Sequence, residues 1–264
     1  MKQIIKRGSF LTLMFMLLGC LSLYAADNDL ITRQITIKLE KAGTLPDRIA
    51  SSKKYKITNL KIIGEINGTD LSMIREMAGS NSNGNSTDGK LSVLDLSEAK
   101  IVEGGGYYYK DDDWWSNSKN YYTSYNVIGD HAFQDCSGLT SLTLPASITS
   151  IGEGAFSGCS GLTSIYVYAE KVPKIGSNSF EGVDAKKCTL YVPMGTRDDY
   201  WLSEFGYFEN IVEFEATGID KTTTSTDVEE VARYSVNGQR LSAPTKGLNI
   251  VKYSDGSVKK VAVR

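Results

Sequence analysis

An excess of charge of either sign is missing from this chain of 264 residues: 29 Lys and Arg stand against 31 Asp and Glu, with no basic cluster. Nucleic acid and anionic membrane surfaces are therefore not expected partners. Histidine is nearly absent too, with His131 alone in GDHAF, and there is no G-x-S-x-G, H-E-x-x-H or phosphate-binding glycine loop. A general base needs a nucleophile or substrate held in reach, so His131 reads as an exposed corner residue and no enzyme is expected. Of four cysteines, Cys20 lies in the leader and three remain, an odd number that argues against a full disulfide framework. Cys136 and Cys159 have no second pair at zinc-ligand spacing, and Asp111, Asp112 and Asp113 lack the alternating ligands of a calcium loop. No metal and no cofactor is expected.

What is present begins with MKQIIKRGSFLTLMFMLLGCLSLYAA, where Lys2, Lys6 and Arg7 precede an apolar run too short and wrongly flanked for a membrane anchor. Residues 1–26 read as a signal peptide, cut either after Ala25 or Ala26 or, as a lipoprotein, before Cys20 in LLGC. Either cut exports the chain, to a secreted or cell-surface location, with no transmembrane span left in the mature protein.

From Val127 to Val167 the chain repeats itself. Ile128 pairs with Ile151, Phe133 with Phe156, Cys136 with Cys159, Leu139 with Leu162, Leu142 with Ile165 and Leu144 with Val167, each at an offset of 23 residues. A fixed period in the twenties with L-x-x-L-x-L in each copy predicts a leucine-rich-repeat solenoid, whose units cannot bury their apolar face alone. In LTSLTL, Leu142 and Leu144 point inward and Thr143 outward, because side chains alternate along a strand. Pro145 then ends pairing, and GEGAF offers Glu153 as a helix cap with Ala155 and Phe156 facing in. The fold expected is an α/β leucine-rich-repeat solenoid, β-rich, with short helical or 3-10 returns and a cap at each end.

The spacing I-G-x-x-A-F-x-x-C-x-x-L-T-x-I/L resembles the BspA-like leucine-rich repeats of anaerobic Bacteroidetes. A third, drifting copy, KIGSNSFEGVDAKKCTLYVP, has Ile175 and Phe180 at an offset of 24, Val183 in place of the cysteine, and extra sequence before Leu190 and Val192. The following GTRDDYWLSEFGYFENIVEF looks like the closing cap of that family. Adjacent repeats about 5 Å apart would let Cys136 and Cys159 bridge. The favoured reading is two buried free thiols, acting as small apolar residues with a weak donor.

Residues 27–90 read as an N-terminal capping region. It carries a strand in ITIKLE, a short helix, a second strand turning at Asn67-Gly68, and a helix capped by Thr69 or Asp70 with Leu71, Ile74 and Met77 on one face. The AGTL and LKIIGEINGTD stretches resemble the region preceding BspA-like repeats. Ser80 to Gly89 reads as a solvated loop. Repeats then occupy residues 91–217, with Leu91, Leu94 and Leu96 matching Leu139, Leu142 and Leu144. An insert of about 24 residues, 103–126, interrupts them. Residues 218–230 form a polar linker. In residues 231–264, Asn237-Gly238 and Asp255-Gly256 between apolar runs signal a small β-hairpin module. Its N-G-Q-R, K-G-L-N-I-V and K-K-V-A-V-R segments resemble the C-terminal domains of exported Bacteroidetes proteins, some of them sorting signals.

Two surfaces are candidates for ligand binding. The insert carries Tyr107, Tyr108, Tyr109, Trp114, Trp115, Tyr121, Tyr122 and Tyr125, large rigid contact area of the kind found at interface hot spots. The alternative is that these rings fold back and seal an edge of the repeats. The outward ladder of the strands is the second surface: Asp95, Thr143, Tyr166 and Tyr191, bordered by Ser141, Ser164 and Tyr168. The resemblance implies a non-enzymatic surface protein that adheres to an extracellular protein ligand of a host or another cell. A glycan ligand stacked on the clustered rings is the alternative.

Overall fold

Apolar and polar residues alternate in ITIKL, NLKIIGEI, SLTL, SIYV and TLYVP, which gives each segment one face to bury and one to expose. A computed structural model describes residues 30–111, 118–215, 230–235, 239–241, 243, 245–253 and 258–263. The leader with Cys20, Asp112, Asp113, Trp114, Trp115, nearly all of the linker, and both the Asn237-Gly238 and Asp255-Gly256 turns lie outside these residues. The chain divides into two units, Met1–Ala216 and Thr217–Arg264.

The strands of the first unit are β1 (Ile35–Leu39), β2 (Asn59–Ile66), β3 (Val93–Asp95), β4 (Ala99–Ile101), β5 (Gly104–Asp111), β6 (Lys119–Thr123), β7 (Val127–Ile128), β8 (Ser141–Leu144), β9 (Ser150–Ile151), β10 (Ser164–Val167), β11 (Lys174–Ile175), β12 (Thr189–Pro193) and β13 (Asn210–Phe214). Its helices are short: α1 (Leu45–Arg48), α2 (Ser51–Lys54), α3 (Gly68–Met77) and α4 (Arg197–Trp201). One parallel sheet runs in the order β1-β2-β3-β8-β10-β12-β13, with β4 also on β2. The N-terminal strands thus belong to the same sheet as the repeats. A second parallel sheet, β11-β9-β7, holds the return segments.

Between the two sheets the repeat residues form columns. Leu60, Leu94, Leu142, Ile165, Leu190 and Ile211 are in register and buried. Phe133, Phe156 and Phe180 stack with ring centroids 5.4 and 5.5 Å apart and planes 9° from parallel.

The returns are not helical, which corrects the expectation built on Glu153. Residues 130–135 and 153–158 are successive turns. Alternate N–H groups cross to the next return: His131, Phe133 and Asp135 donate to the carbonyls of Glu153, Ala155 and Ser157, at 2.8, 2.7 and 2.8 Å. Gly154, Phe156 and Gly158 donate in turn to Ser177, Ser179 and Glu181, at 3.0, 2.8 and 2.8 Å. These amides are spent between returns and cannot close a helical turn. The course needs a left-handed residue at two positions per repeat, filled by His131, Gly154 and Asn178 (φ 57°, 56° and 54°) and by Asp135, Gly158 and Gly182 (φ 60°, 74° and 82°).

Helix α3 is capped by Asn67, assigned to a turn in the sequence, rather than by Thr69 or Asp70. The Asn67 side chain accepts the Thr69 N–H at 3.0 Å, and the Asp70 carboxylate returns the bond to the Asn67 N–H at 2.9 Å. Fully buried Asp70 also accepts the N–H groups of Gly43 and Leu45, at 2.6 and 2.8 Å, which fastens the chain entering α1. The loop after α3 is held rather than freely solvated: Asn81 accepts two N–H groups of its own loop, and Ser82 accepts the N–H of Lys110 in β5.

The second unit is an antiparallel sheet of β14 (Glu230–Ser235), β15 (Arg240–Leu241), β16 (Gly247–Tyr253) and β17 (Val258–Val263), in the order β15-β14-β16-β17.

Candidate binding surfaces

Strand register sets Lys61, Asp95, Thr143, Tyr166, Tyr191 and Val212 side by side on the outward face of the main sheet. The four ladder residues expected from the sequence are neighbours here. One end of the ladder is ionic: Lys61 Nζ lies 3.1 Å from Asp95 and 2.7 Å from Glu98. The hydrogen bond to Glu98 raises the Lys61 pKa against the effect of burial. Burial alone would raise the Asp95 carboxyl, but hydrogen bonds from Ser97 and Lys61 outweigh it and hold that pKa below its ordinary value.

The other end of the ladder is aromatic. Tyr166 and Tyr191 stack with centroids 4.3 Å apart and planes 7° from parallel. Phe214 meets Tyr166 edge-on at 5.8 Å and Tyr168 at 4.9 Å. All four rings are half-buried, and burial together with the neighbouring Tyr191 raises the Tyr166 hydroxyl pKa. Phe214 and Lys61 were not singled out in the sequence, because NIVEF was absorbed into the closing segment and Lys61 into the N-terminal region.

The insert forms an antiparallel β5–β6 ladder, with Tyr109 opposite Tyr121. Its root lies close on the start of α3: Gly106 N–H donates to Thr69 Oγ1 at 2.9 Å, and a Cβ on Gly68 would sit 1.9 Å from the Gly106 carbonyl oxygen. Part of the insert thus folds back on the repeats, which withdraws Tyr108 from the candidate ligand contacts. Tyr108 is 1% exposed and its hydroxyl donates to the Asp130 carbonyl at 2.9 Å. Tyr109 is half-buried, its centroid 5.1 Å from that of His131 and 4.9 Å from the Arg75 guanidinium. Tyr121 meets His131 edge-on at 5.0 Å. Tyr107, Tyr122 and Tyr125 are exposed, the last two at 54% and 59%.

His131 is likewise no exposed corner. It is half-buried between two tyrosine rings, and its Nδ1 would lie 3.0 Å from a Cβ on Gly154, so the glycine of the next repeat leaves room for the imidazole.

A residue absent from the sequence reading organises this end of the repeats. The carbonyls of Asp130, Ala132 and Gln134 occupy the positions at which Glu153, Ala155 and Ser157 accept from the preceding return, yet among the described residues no return precedes them. Side chains supply the donors instead. Tyr108 serves Asp130, Arg75 Nη1 serves Ala132 at 3.0 Å, and Arg75 Nη2 serves Gln134 at 3.2 Å. Arg75 is fully buried and donates also to the carbonyls of His131 and Asn81 and to Ser80 Oγ.

Cys136, Cys159 and Cys188 are free and buried, and the Cys159 thiol donates to the Phe133 carbonyl at 3.0 Å. Burial pushes Cys136 up to about 11 and Cys188 up to about 12, so none of the three is poised as a thiolate nucleophile. Among the described residues no group of His, Cys, Asp or Glu gathers as a metal site, and no helix is long and apolar enough to cross a membrane.

Residues 126–226 match the family model described as BspA type Leucine rich repeat region. No curated protein matches the sequence. The match begins where the insert ends, and the parallel register carries the same strand pattern back through β3. Leucine-rich repeats as a class are interaction scaffolds rather than catalytic ones, because stacked units present an extended face.

Proposed function

We propose that this chain is an exported, non-catalytic adhesion or interaction protein: a leucine-rich-repeat solenoid, its core capped at each end, that binds a protein ligand on its outward sheet face. The observation that carries this reading is the Tyr166–Tyr191 stack flanked by Phe214 and Tyr168. The repeat core does not require these rings, and aromatic side chains of this kind dominate interface energetics. In this reading residues 1–26 are removed, or Cys20 is lipidated, and residues 231–264 form a separate β module that serves surface attachment or sorting. Protein is favoured over glycan because a sugar stacks on a free ring face, and Tyr166 and Tyr191 each spend one face on the other.

The test is parallel screening of the wild type and a Tyr166→Ala, Tyr191→Ala double variant on matrix-protein and glycan arrays. A protein ligand lost by the double variant, with the melting temperature kept, supports the reading. Binding untouched by the double change removes this face from consideration, and a glycan ligand that survives it transfers the role to exposed Tyr122 and Tyr125.

A further inference from the structure

The two ends of the stacked returns are finished differently. At the first end, Tyr108 and Arg75 satisfy the carbonyl row. At the last, the residues equivalent to the donors His131, Phe133 and Asp135 are Asn178, Phe180 and Gly182, and the outer two keep the same left-handed backbone. Among the described residues, the N–H groups of Asn178, Phe180 and Gly182 have no acceptor. The closing segment packs against this edge through its rings: Phe205 and Phe208 are buried, Phe208 lies edge-on to Phe180 at 4.9 Å, and Tyr207 stacks on Phe180 at 6.5 Å with its hydroxyl on the Val183 carbonyl, while none of the three donors finds an acceptor in it. Beside the donor row is an open hollow of about 460 Å³, bordered by Ile175, Glu181, Glu204 and Tyr207. Its lining holds two carboxylates and no basic side chain.

We propose that this edge takes up an extended segment of another polypeptide, on a surface separate from the outward sheet face. Alternate carbonyls of the segment would accept from Asn178, Phe180 and Gly182, as Ser177, Ser179 and Glu181 accept from the return before them. The equivalent donors of the two earlier returns all point across to the next backbone, so the three at this edge are aimed together at whatever chain lies beside it, as an open edge is when it takes up a peptide. Glu181 and Glu204 select a segment with basic side chains. A second copy stacked head to tail is the wrong occupant, because its own carbonyls at Asp130, Ala132 and Gln134 are already taken by Tyr108 and Arg75.

The experiment is residue-resolved amide exchange by NMR on the full mature chain, alone and with about 1 mM of a blocked nonapeptide of alternating lysine and alanine. In the free protein the amides of Asn178, Phe180 and Gly182 should exchange faster than those of His131, Phe133 and Asp135. With the peptide they should slow by on the order of tenfold. An alternating glutamate and alanine peptide should give no slowing, and a Glu181→Lys, Glu204→Lys variant should lose the response to the lysine peptide. Three amides already protected in the free monomer would overturn the proposal. So would an equal response to both peptides, no response to either, or protection that grows with protein concentration alone, which would mark a second copy as the occupant.

Discussion

Arg75 Nη1 donates to the backbone carbonyl of His131 at 2.7 Å, across 56 positions of sequence. One guanidinium on α3 thereby holds the first return of the repeats. Its planar fork reaches the carbonyls of His131, Ala132, Gln134 and Asn81 together, which a single ammonium cannot do. Replacing Arg75 by Met should therefore cost about 3 kcal/mol or more, from several buried carbonyls left without donors. Arg75→Lys should recover less than half of that. Denaturant unfolding checks both, and a variant as stable as wild type would show that water substitutes for the guanidinium.

Phe156 lies between Phe133 and Phe180, with both faces stacked. Phe156→Ala should destabilise by about 3 to 5 kcal/mol as a buried aromatic deletion. Ser157→Ala, on the next residue, should be near neutral. Thermal melts that find both changes harmless would contradict the phenylalanine column.

These two cases show what a linear reading reaches. The phenylalanine column and the ladder from Asp95 to Tyr191 were legible because a 23-residue period and strand alternation place each residue from its neighbours alone. Even Leu190, at an offset of 25 residues rather than 23, falls in register with Ile165. Arg75 was not legible: its partners come from residues 131–134, and an arginine on an amphipathic helix reads as exposed. The Asn67 cap was hidden by the competing hairpin signal of Asn67-Gly68. In the Tyr107–Tyr109 run, composition marks neither parity as inward, so only the packing of β5 against α3 and His131 selects Tyr108 for the core. The left-handed positions did leave a trace, in Gly154 and Asn178 opposite His131, and that trace predicts backbone, not the burial of the imidazole.

Burial raises the Cys136 thiol from 9.0 to about 11, so the folded chain keeps this proton where the unfolded chain has lost it. As pH rises from about 9 toward 11 the unfolded state is favoured, and stability should fall by roughly 1.4 kcal/mol per pH unit for this group. Below pH 9 both states hold the proton and the thiol adds no slope. Cys136→Ala should flatten the alkaline limb relative to wild type in urea titrations at pH 8, 9.5 and 10.5. Identical slopes for the two proteins would mean that the thiol does not titrate as its burial requires.

Within the insert, Tyr108 and Tyr122 should behave as opposites, although both were candidates for ligand contact. Tyr108 is buried with its hydroxyl on the Asp130 carbonyl, at the edge of the row that Arg75 completes. Tyr108→Phe removes that donor and should cost about 1 to 2 kcal/mol, the penalty for one buried acceptor left unpaired. Tyr108→Ala adds the loss of a buried ring and should cost about 3 to 5 kcal/mol. Tyr122 and Tyr125 are more than half exposed, so Ala at both should leave the melting temperature within about 1 °C, as expected for surface positions. If the insert takes part in binding, the double change at these exposed rings should weaken ligand affinity about tenfold or more, the scale of interface hot spots. Stability lost at Tyr122 and Tyr125 and kept at Tyr108→Phe would invert the assignment and mean that the hairpin packs on the repeats through its other face.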